Sequence, residues 1–195
     1  MSQGFIPPHG GYKKLLSYQK SEIVYDATVC FCDRFIDKRS RTHDQMVQAA
    51  RSGKQNIVEG SMASGTSKEM EIKLTNVARA SLEELLADYR DFLRARKLEE
   101  WTSEHPYARR LRELNRAPGA GYATFARGIE NSDPAVSANV IIGLIRVCSY
   151  LLDRQIRELE AAFLKEGGLR ERMTAARLKA RKDQKDRSDG KDKGR

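Results

Sequence analysis

The chain has 195 residues and a net charge of +9, with 39% apolar, 32% charged and 7% aromatic side chains. Its length suits one domain with at most an appendage, and its composition is typical of polar-surfaced helices rather than a large sheet core. Its cysteines are odd in number, with one C-x-C pair, and no signal peptide is apparent, which indicates a reduced, cytoplasmic protein. The longest apolar run, residues 140–152, is too short to span a bilayer, so we expect no membrane partner.

The first predicted helix spans residues 12–38 and follows a flexible N-terminus at residues 1–11. Leu16, Ile23 and Cys30 recur at the seven-residue interval that places apolar side chains on one helical face.

The second predicted helix opens at "THDQ", a capping box in which Thr42 and Gln45 can each bond the other's backbone. Small residues such as Gly53 dominate its inward stripe, so another helix must approach it closely. We expect this helix to stop at Gly60, because glycine suits the left-handed position that ends many helices.

The segment "EGSMASGTSKE", residues 59–69, resembles a phosphate-binding loop, in which lysine directly follows the second glycine. Here the lysine is displaced by two positions, and a helix rather than a strand comes before it. We therefore interpret the segment as a turn between two antiparallel helices. The third predicted helix begins after Thr66, with a capping box formed by Thr66 and Glu69, and runs to about residue 96.

Residues 98–133 form a long connection in which the apolar pattern weakens. Its part "HPYARRLRELNR" predicts a short basic helix with Pro106 in the first turn. The following "APGAGYATFARGIENSDP" predicts a loop.

The last long predicted helix begins at Asp133 and Pro134 and ends before Gly167. It carries two apolar stripes, whereas a helix packed on one side of a bundle needs only one. The second stripe must meet the long connection or another subunit, and we favour a homo-oligomer. The second stripe contains Val136 and the predicted interface residues Val140, Leu144, Val147 and Leu151.

Together these patterns predict an all-α fold, an antiparallel up-and-down four-helix bundle over residues 12–166 with an inserted connection at residues 98–133. Residues 167–195 form a basic tail, predicted to be helical at its start and disordered later. Residues 169–195 hold eleven Lys/Arg against five Asp/Glu, which is +6 of the net +9. The tail is either a solubilising end or a polyanion-binding arm.

Motifs for catalysis and metal binding are missing from the sequence. No histidine has a glutamate three positions before it, so the Glu-x-x-His pairs of di-iron bundles do not occur. No G-x-S-x-G sequence occurs either. We expect no metal and no cofactor, and we expect that the protein is not an enzyme.

Two polar residues of the second helix, Asn56 and Glu59, lie on its small-residue side. A buried carboxylate needs a partner, and we predict that Glu59 pairs with Arg79 of the third helix, within the chain or between subunits. The alternative is a ligand-binding role.

The segments "QAARSGKQNIVEG" and "SKEMEIKLTNVARASLEEL" resemble the second and third helices of the 23S ribosomal RNA intervening-sequence proteins, a four-helix-bundle family. The outer segments resemble the subgroup with a C-terminal suffix. The long connection and Ala80, where the family often has glycine, depart from the pattern. The matching residues are Asn56, Ile57, Glu59, Gly60, Ser67, Lys68, Glu69, Ala78, Arg79, Ser81, Leu82, Glu84 and Leu85.

This resemblance implies a bacterial, non-enzymatic bundle protein that assembles into pentameric rings. Some members are encoded inside insertions of ribosomal RNA genes. A related branch is the basic accessory protein of diversity-generating retroelements, which binds nucleic acid and a reverse transcriptase.

Two functions therefore stay open. The first is a homo-oligomer that binds RNA or DNA, with RNA favoured and ribosomal RNA one candidate partner. No aromatic-rich basic motif for single strands is apparent. The second is an assembly or adaptor scaffold that recruits another protein, such as a reverse transcriptase, with incidental basicity. The candidate phosphate contacts are Arg39, Arg41, Arg109, Arg110, Arg112, Lys179, Arg181 and Lys182.

Overall fold

The structure, a computed structural model, describes residues 9–192, with side chains described as far as residue 184. All regular secondary structure in this part of the chain is helical, and no strand occurs in it. The predicted all-α class is therefore confirmed. Most of the predicted flexible N-terminus, residues 1–11, lies outside the described residues.

A short 3-10 helix, Tyr12–Lys14, precedes the first long helix. The α-helices in chain order are α1 (Leu16–Phe35), α2 (Arg41–Ala63), α3 (Lys68–Ala95), α4 (Pro106–Arg116), α5 (Tyr122–Ile129), α6 (Pro134–Glu166) and α7 (Leu169–Asp192). Two of them, α4 and α5, lie inside the long connection, and α7 occupies the basic tail.

Most of the core lies among α1, α2, α3 and α6. Helix α1 packs against α2 and α6, and α3 packs against the same two helices. Phe31 of α1 is fully buried, and its ring meets Tyr89 and Phe92 of α3 with centroids 4.9 and 4.8 Å apart. The hydroxyl of Tyr89 donates to Thr28 at 3.2 Å, so this buried polar group keeps a hydrogen-bond partner.

The close approach predicted for the second helix occurs between α2 and α3. A Cβ atom added to Gly53 would lie 2.8 Å from Cδ2 of Leu82, so no larger residue fits without a shift. Nearby, the hydroxyls of Ser52 and Ser81 are 2.9 Å apart and share a hydrogen bond. Ser81 therefore acts as a small residue that links two helices.

The two predicted capping boxes are wrong in register. Ser40 accepts from the Thr42 amide and caps α2, and Ser67 accepts from the Met70 amide and caps α3. In both helices a serine hydroxyl satisfies a free amide of the first turn. The cap of α2 lies two residues earlier than predicted, and the cap of α3 lies one residue later.

Helix α2 continues past Gly60 to Ala63, so the predicted stop at Gly60 is wrong. Gly60 is buried, and a Cβ atom there would lie 3.3 Å from the Glu71 carbonyl oxygen. The missing side chain serves close packing against α3 rather than a left-handed turn.

The segment predicted as a loop after α4 contains helix α5. Its residues Phe125 and Ile129 are buried, and their four-residue spacing places both on one helical face. Gly128 lets α5 approach α6, because a Cβ atom there would lie 2.8 Å from Cγ2 of Val140. Burial of one apolar face stabilises this short helix in a glycine-containing sequence.

The connection covers much of the second apolar stripe of α6. Val140 is 7% exposed and Leu144 is fully buried within the chain, so the predicted oligomer interface is wrong at these two residues. Val147 and Leu151 are half-buried and keep an accessible surface. The physical reason is that α4 and α5 pack on α6 and remove this stripe from solvent.

One helical stretch in the described part of the chain, Pro134–Gln184, is long and apolar enough to cross a membrane by length and composition alone. In the fold, 61% of its most apolar window is buried. A core helix of a folded domain meets the same criterion, because it too is apolar around most of its circumference.

Helix α7 follows Gly167, whose φ of 66° only glycine adopts easily. None of the side chains described in α7 is buried. Helix α7 begins the tail, as predicted, and extends to Asp192, while the disorder expected later in the tail stays a prediction.

Candidate nucleic-acid interface

Helix α4 lies on α6 through one buried side chain. Leu111 is 8% exposed, and it packs over Gly143, where an added Cβ atom would clash with Cδ2 of Leu111. Pro106 occupies the first helical position, and Nδ1 of His105 accepts from the Tyr107 amide at 3.3 Å. The predicted short basic helix with Pro106 in its first turn is therefore confirmed.

Asn139 of α6 fixes the chain that leads into α4. Its side chain is 3% exposed, and its Oδ1 accepts from the Trp101 amide at 2.7 Å. Its Nδ2 donates to the carbonyls of Glu99 and Ala135 at 2.8 and 2.9 Å. All its hydrogen-bonding groups are used, so this amide holds residues 99–101 against α6.

Four arginines and one glutamate lie between Pro106 and Arg116. Arg109 pairs with Glu104, Arg110 pairs with Glu113 at 3.0 Å, and Arg112 donates to the Ser103 carbonyl at 2.8 Å. The fourth, Arg116, is exposed and makes no ion pair with another described residue. Exposed ion pairs contribute little stability, so phosphate can displace the glutamates at low cost.

An aromatic cluster stands at the start of α4. The rings of Trp101 and His105 are stacked, with centroids 4.7 Å apart and planes at 4°. The ring centroid of Tyr107 lies 5.4 Å from that of Trp101, and Tyr107 is 63% exposed. The sequence did not predict this aromatic cluster beside the arginines of α4. The signal was local, since Trp101, His105 and Tyr107 come directly before three arginines.

Two cavities flank α4. The larger has a volume of about 680 Å³ and lies between α4 and α6, and the smaller, of about 470 Å³, lies between α4 and α5. Trp101 and Leu111 line both. Arginines also border each one, Arg112 and Arg146 the larger, Arg110 and Arg127 the smaller.

The other predicted phosphate contacts lie on separate elements. Arg39 and Arg41 are exposed at the turn between α1 and α2, while Lys179, Arg181 and Lys182 are exposed on α7. No hydrogen bond or ion pair joins these groups to α4 among the residues described. The candidate cations therefore lie on three elements of the chain, which are α4, the α1–α2 junction and α7.

The predicted pairing of Glu59 with Arg79 is wrong within the chain. Arg79 pairs with Asp153 of α6 at 3.1 Å and donates to Oδ1 of Asn76 at 2.9 Å. Glu59 is exposed and needs no partner, because water solvates its charge. Pairing between subunits stays a prediction.

Asn56, the other polar residue singled out beside Glu59, is half-buried. Its Nδ2 donates to the Ser52 carbonyl at 2.9 Å. Its amide is therefore used inside α2.

Two of the three cysteines are buried, unreactive thiols. Cys32 and Cys148 are buried and Cys30 is half-buried, all three as free thiols. Burial raises the pKa of the Cys32 and Cys148 thiols to about 12, which keeps both protonated and unreactive at neutral pH. Among the described residues, no group of three potential metal-binding side chains occurs.

No family model, no curated protein and no solved structure matches this chain.

Proposed function

We propose that this protein is a non-enzymatic nucleic-acid-binding protein that contacts RNA through α4 and the basic tail. The observation that carries the proposal is the arrangement on α4, where exposed arginines stand beside the aromatic cluster of Trp101, His105 and Tyr107. Arginine contacts to phosphate supply affinity without reading sequence. The exposed ring of Tyr107 adds stacking surface for unpaired bases.

The distribution of charge supports a second contact in the tail. Residues 169–195 carry +6 of the net +9, and all side chains described in α7 are at least partly accessible. Cations on an accessible helix can follow a phosphate backbone and release its counterions. Arg39 and Arg41 provide a third, smaller basic patch.

For the architecture, we propose an antiparallel up-and-down four-helix bundle of α1, α2, α3 and α6, related to the 23S ribosomal RNA intervening-sequence proteins. The reciprocal packing of these helices supports the arrangement. The sequence resemblance supports assembly into a cytoplasmic pentameric ring. Its α6 contacts would use Leu151, beside the 59%-exposed Leu16 of α1, whereas Val147 lines the cavity between α4 and α6.

The direct test is fluorescence anisotropy of labelled RNA titrated with the full chain at two salt concentrations. The triple variant R109A/R110A/R116A should bind at least about tenfold more weakly and with a shallower salt dependence, because each phosphate that goes unneutralised lowers the slope by about 0.7–0.9. The matched control R51A/K73A/R94A removes the same charge from exposed positions of α2 and α3.

The control variant should keep most of the parent affinity, since its cations belong to α2 and α3 rather than to α4. Equal losses in the two triple variants would mean that net charge alone drives binding. A parent chain that binds no RNA would overturn the proposal and favour the adaptor scaffold, which recruits a protein such as a reverse transcriptase.

A further inference from the structure

We propose that the cavity between α4 and α6, which we call the α4–α6 groove, binds an unpaired nucleobase of a single-stranded RNA segment. This inference rests on the proposed function, because it names the class of nucleic acid that the α4 surface selects. The groove has a volume of about 680 Å³, within the range of roughly 300–1,000 Å³ that is usual for small-molecule sites.

The walls of the groove provide an apolar slot for a flat ring. Leu111 and Ala108 of α4 and Gly143 and Val147 of α6 line it. Gly143 adds no side chain, so Leu111 packs directly on α6 there, and the open part of the slot lies beside this contact. Trp101 closes one part of the slot and already carries one stacked ring, that of His105.

The charges at the groove suit the sugar–phosphate part of a nucleotide. Arg112 and Arg146 line it together with one carboxylate, Glu100. Glu100 pairs with Arg146 and, at 3.3 Å, with Arg90, so its charge is shared between these two arginines. Arg112 uses one of its nitrogens on the Ser103 carbonyl and keeps other donors for an anion.

Asn115 supplies a polar group that the chain itself leaves unused. Its Nδ2 donates to the Leu111 carbonyl at 3.0 Å. Its Oδ1 is buried and has no hydrogen-bond partner among the described residues. A buried acceptor without a donor is unfavourable. A rotation of the Asn115 side chain towards the groove that it lines would let the exocyclic amine or ring N–H of a base donate to this oxygen.

Duplex RNA cannot insert a base with a free amine or ring N–H into the groove, because its bases are paired and stacked inside the helix. A single strand can insert one base into the groove while its backbone follows the arginines of α4. The groove therefore predicts a preference for single strands that phosphate contacts alone would not produce.

The test compares a short single-stranded RNA of mixed sequence with the same RNA annealed to its complement, using the full chain. Trp101 is the one tryptophan of the sequence, so intrinsic fluorescence reports on the groove directly. We expect about tenfold tighter binding of the single strand, the contribution of one stacked base, with quenching of Trp101 by the single strand only.

Two variants change the groove without changing charge. Ala108→Phe fills it, and Asn115→Leu removes the unused acceptor at similar size. Each should lower single-strand affinity towards the duplex value and leave duplex affinity unchanged. Ala87→Phe, the same substitution as the first at an exposed position of α3, should keep the preference.

Equal binding of single strand and duplex by the parent, or a preference that survives Ala108→Phe and Asn115→Leu, would overturn the groove as a base site while leaving RNA binding intact. A parent that binds neither RNA overturns the proposed function, and the groove proposal with it. These two failures are therefore distinct.

Discussion

Lys20 is a charged residue inside the packed part of the molecule. It is 6% exposed, its Nζ donates to the Ala120 carbonyl at 3.2 Å, and it lies 5.2 Å from the centroid of the Phe125 ring. No carboxylate pairs with it among the described residues. Burial lowers the pKa of its ammonium group, and the nearby Cys148 thiol opposes this shift.

The lowered pKa makes the stability contributed by Lys20 depend on pH. The folded state penalises the charged amine, and this penalty is fully present below the folded-state pKa. As pH rises towards 10.5, the ordinary pKa of lysine, the amine loses its charge and the penalty disappears. The parent should therefore gain stability relative to Lys20→Met between pH 7 and that value.

Chemical denaturation of parent and Lys20→Met at several alkaline pH values measures this difference. Using the difference cancels the titration of tyrosine and cysteine residues that both chains share. The exposed Lys13→Met serves as the control, and its difference from the parent should not change with pH. A constant difference for Lys20→Met would show that its amine is solvated in the folded state.

At the scale of elements, α7 carries much of the positive charge but buries no described side chain in the fold. It has no buried side chain among those described, whereas α4 and α5 both bury apolar residues against α6. Without apolar burial a helix contributes little to the free energy of unfolding. The charge of α7 is therefore available for binding without a structural role.

A chain that ends at Gly168 should unfold at nearly the same temperature as the full chain. Its salt slope for RNA binding should be shallower by about 0.7–0.9 for each phosphate that the tail neutralises. Differential scanning calorimetry and anisotropy titrations across salt concentrations measure the two properties. An unchanged slope would identify the tail as a solubilising end, and a large drop in unfolding temperature would show hidden packing by α7.

At the scale of the whole molecule, the burial of Leu144 decides what its substitution does. Leu144 is fully buried within one chain, so Leu144→Glu places an unpaired carboxylate in the core. We expect a loss of about 4 kcal/mol or more in the free energy of unfolding. A thermal melt should show a destabilised or unfolded chain rather than a folded subunit released from a ring.

Leu16→Glu is the matched control, because Leu16 is 59% exposed and its substitution leaves the core unchanged. This variant should stay folded, and light scattering should show a smaller mass if the ring uses this surface. A parent mass equal to one 22.1 kDa chain would overturn the proposed ring. If Leu144→Glu instead stays folded and its assembly has a smaller mass than that of the parent, the second apolar stripe of α6 is the subunit interface after all.

The sequence by itself determined most of the helices and the concentration of positive charge in residues 169–195. The 3.6-residue periodicity, Pro106 and Pro134 at helix starts and Asp133 as a cap are local signals, so they needed no knowledge of the tertiary structure. The predicted caps of α2 and α3 were wrong because a neighbouring serine caps each helix. The predicted end of α2 was wrong because Gly60 serves close packing inside the helix.

Only the tertiary structure decided how α4 and α5 cover α6, which residue pairs with Arg79, and that Trp101 and Asn115 share one groove. These features depend on contacts between distant parts of the chain, such as Leu111 over Gly143 and Asp153 facing Arg79. Periodicity shows that a helix has a second apolar stripe, but it carries no information on what packs there. That choice follows from the fit of side chains across helices, which exists only once the chain has folded.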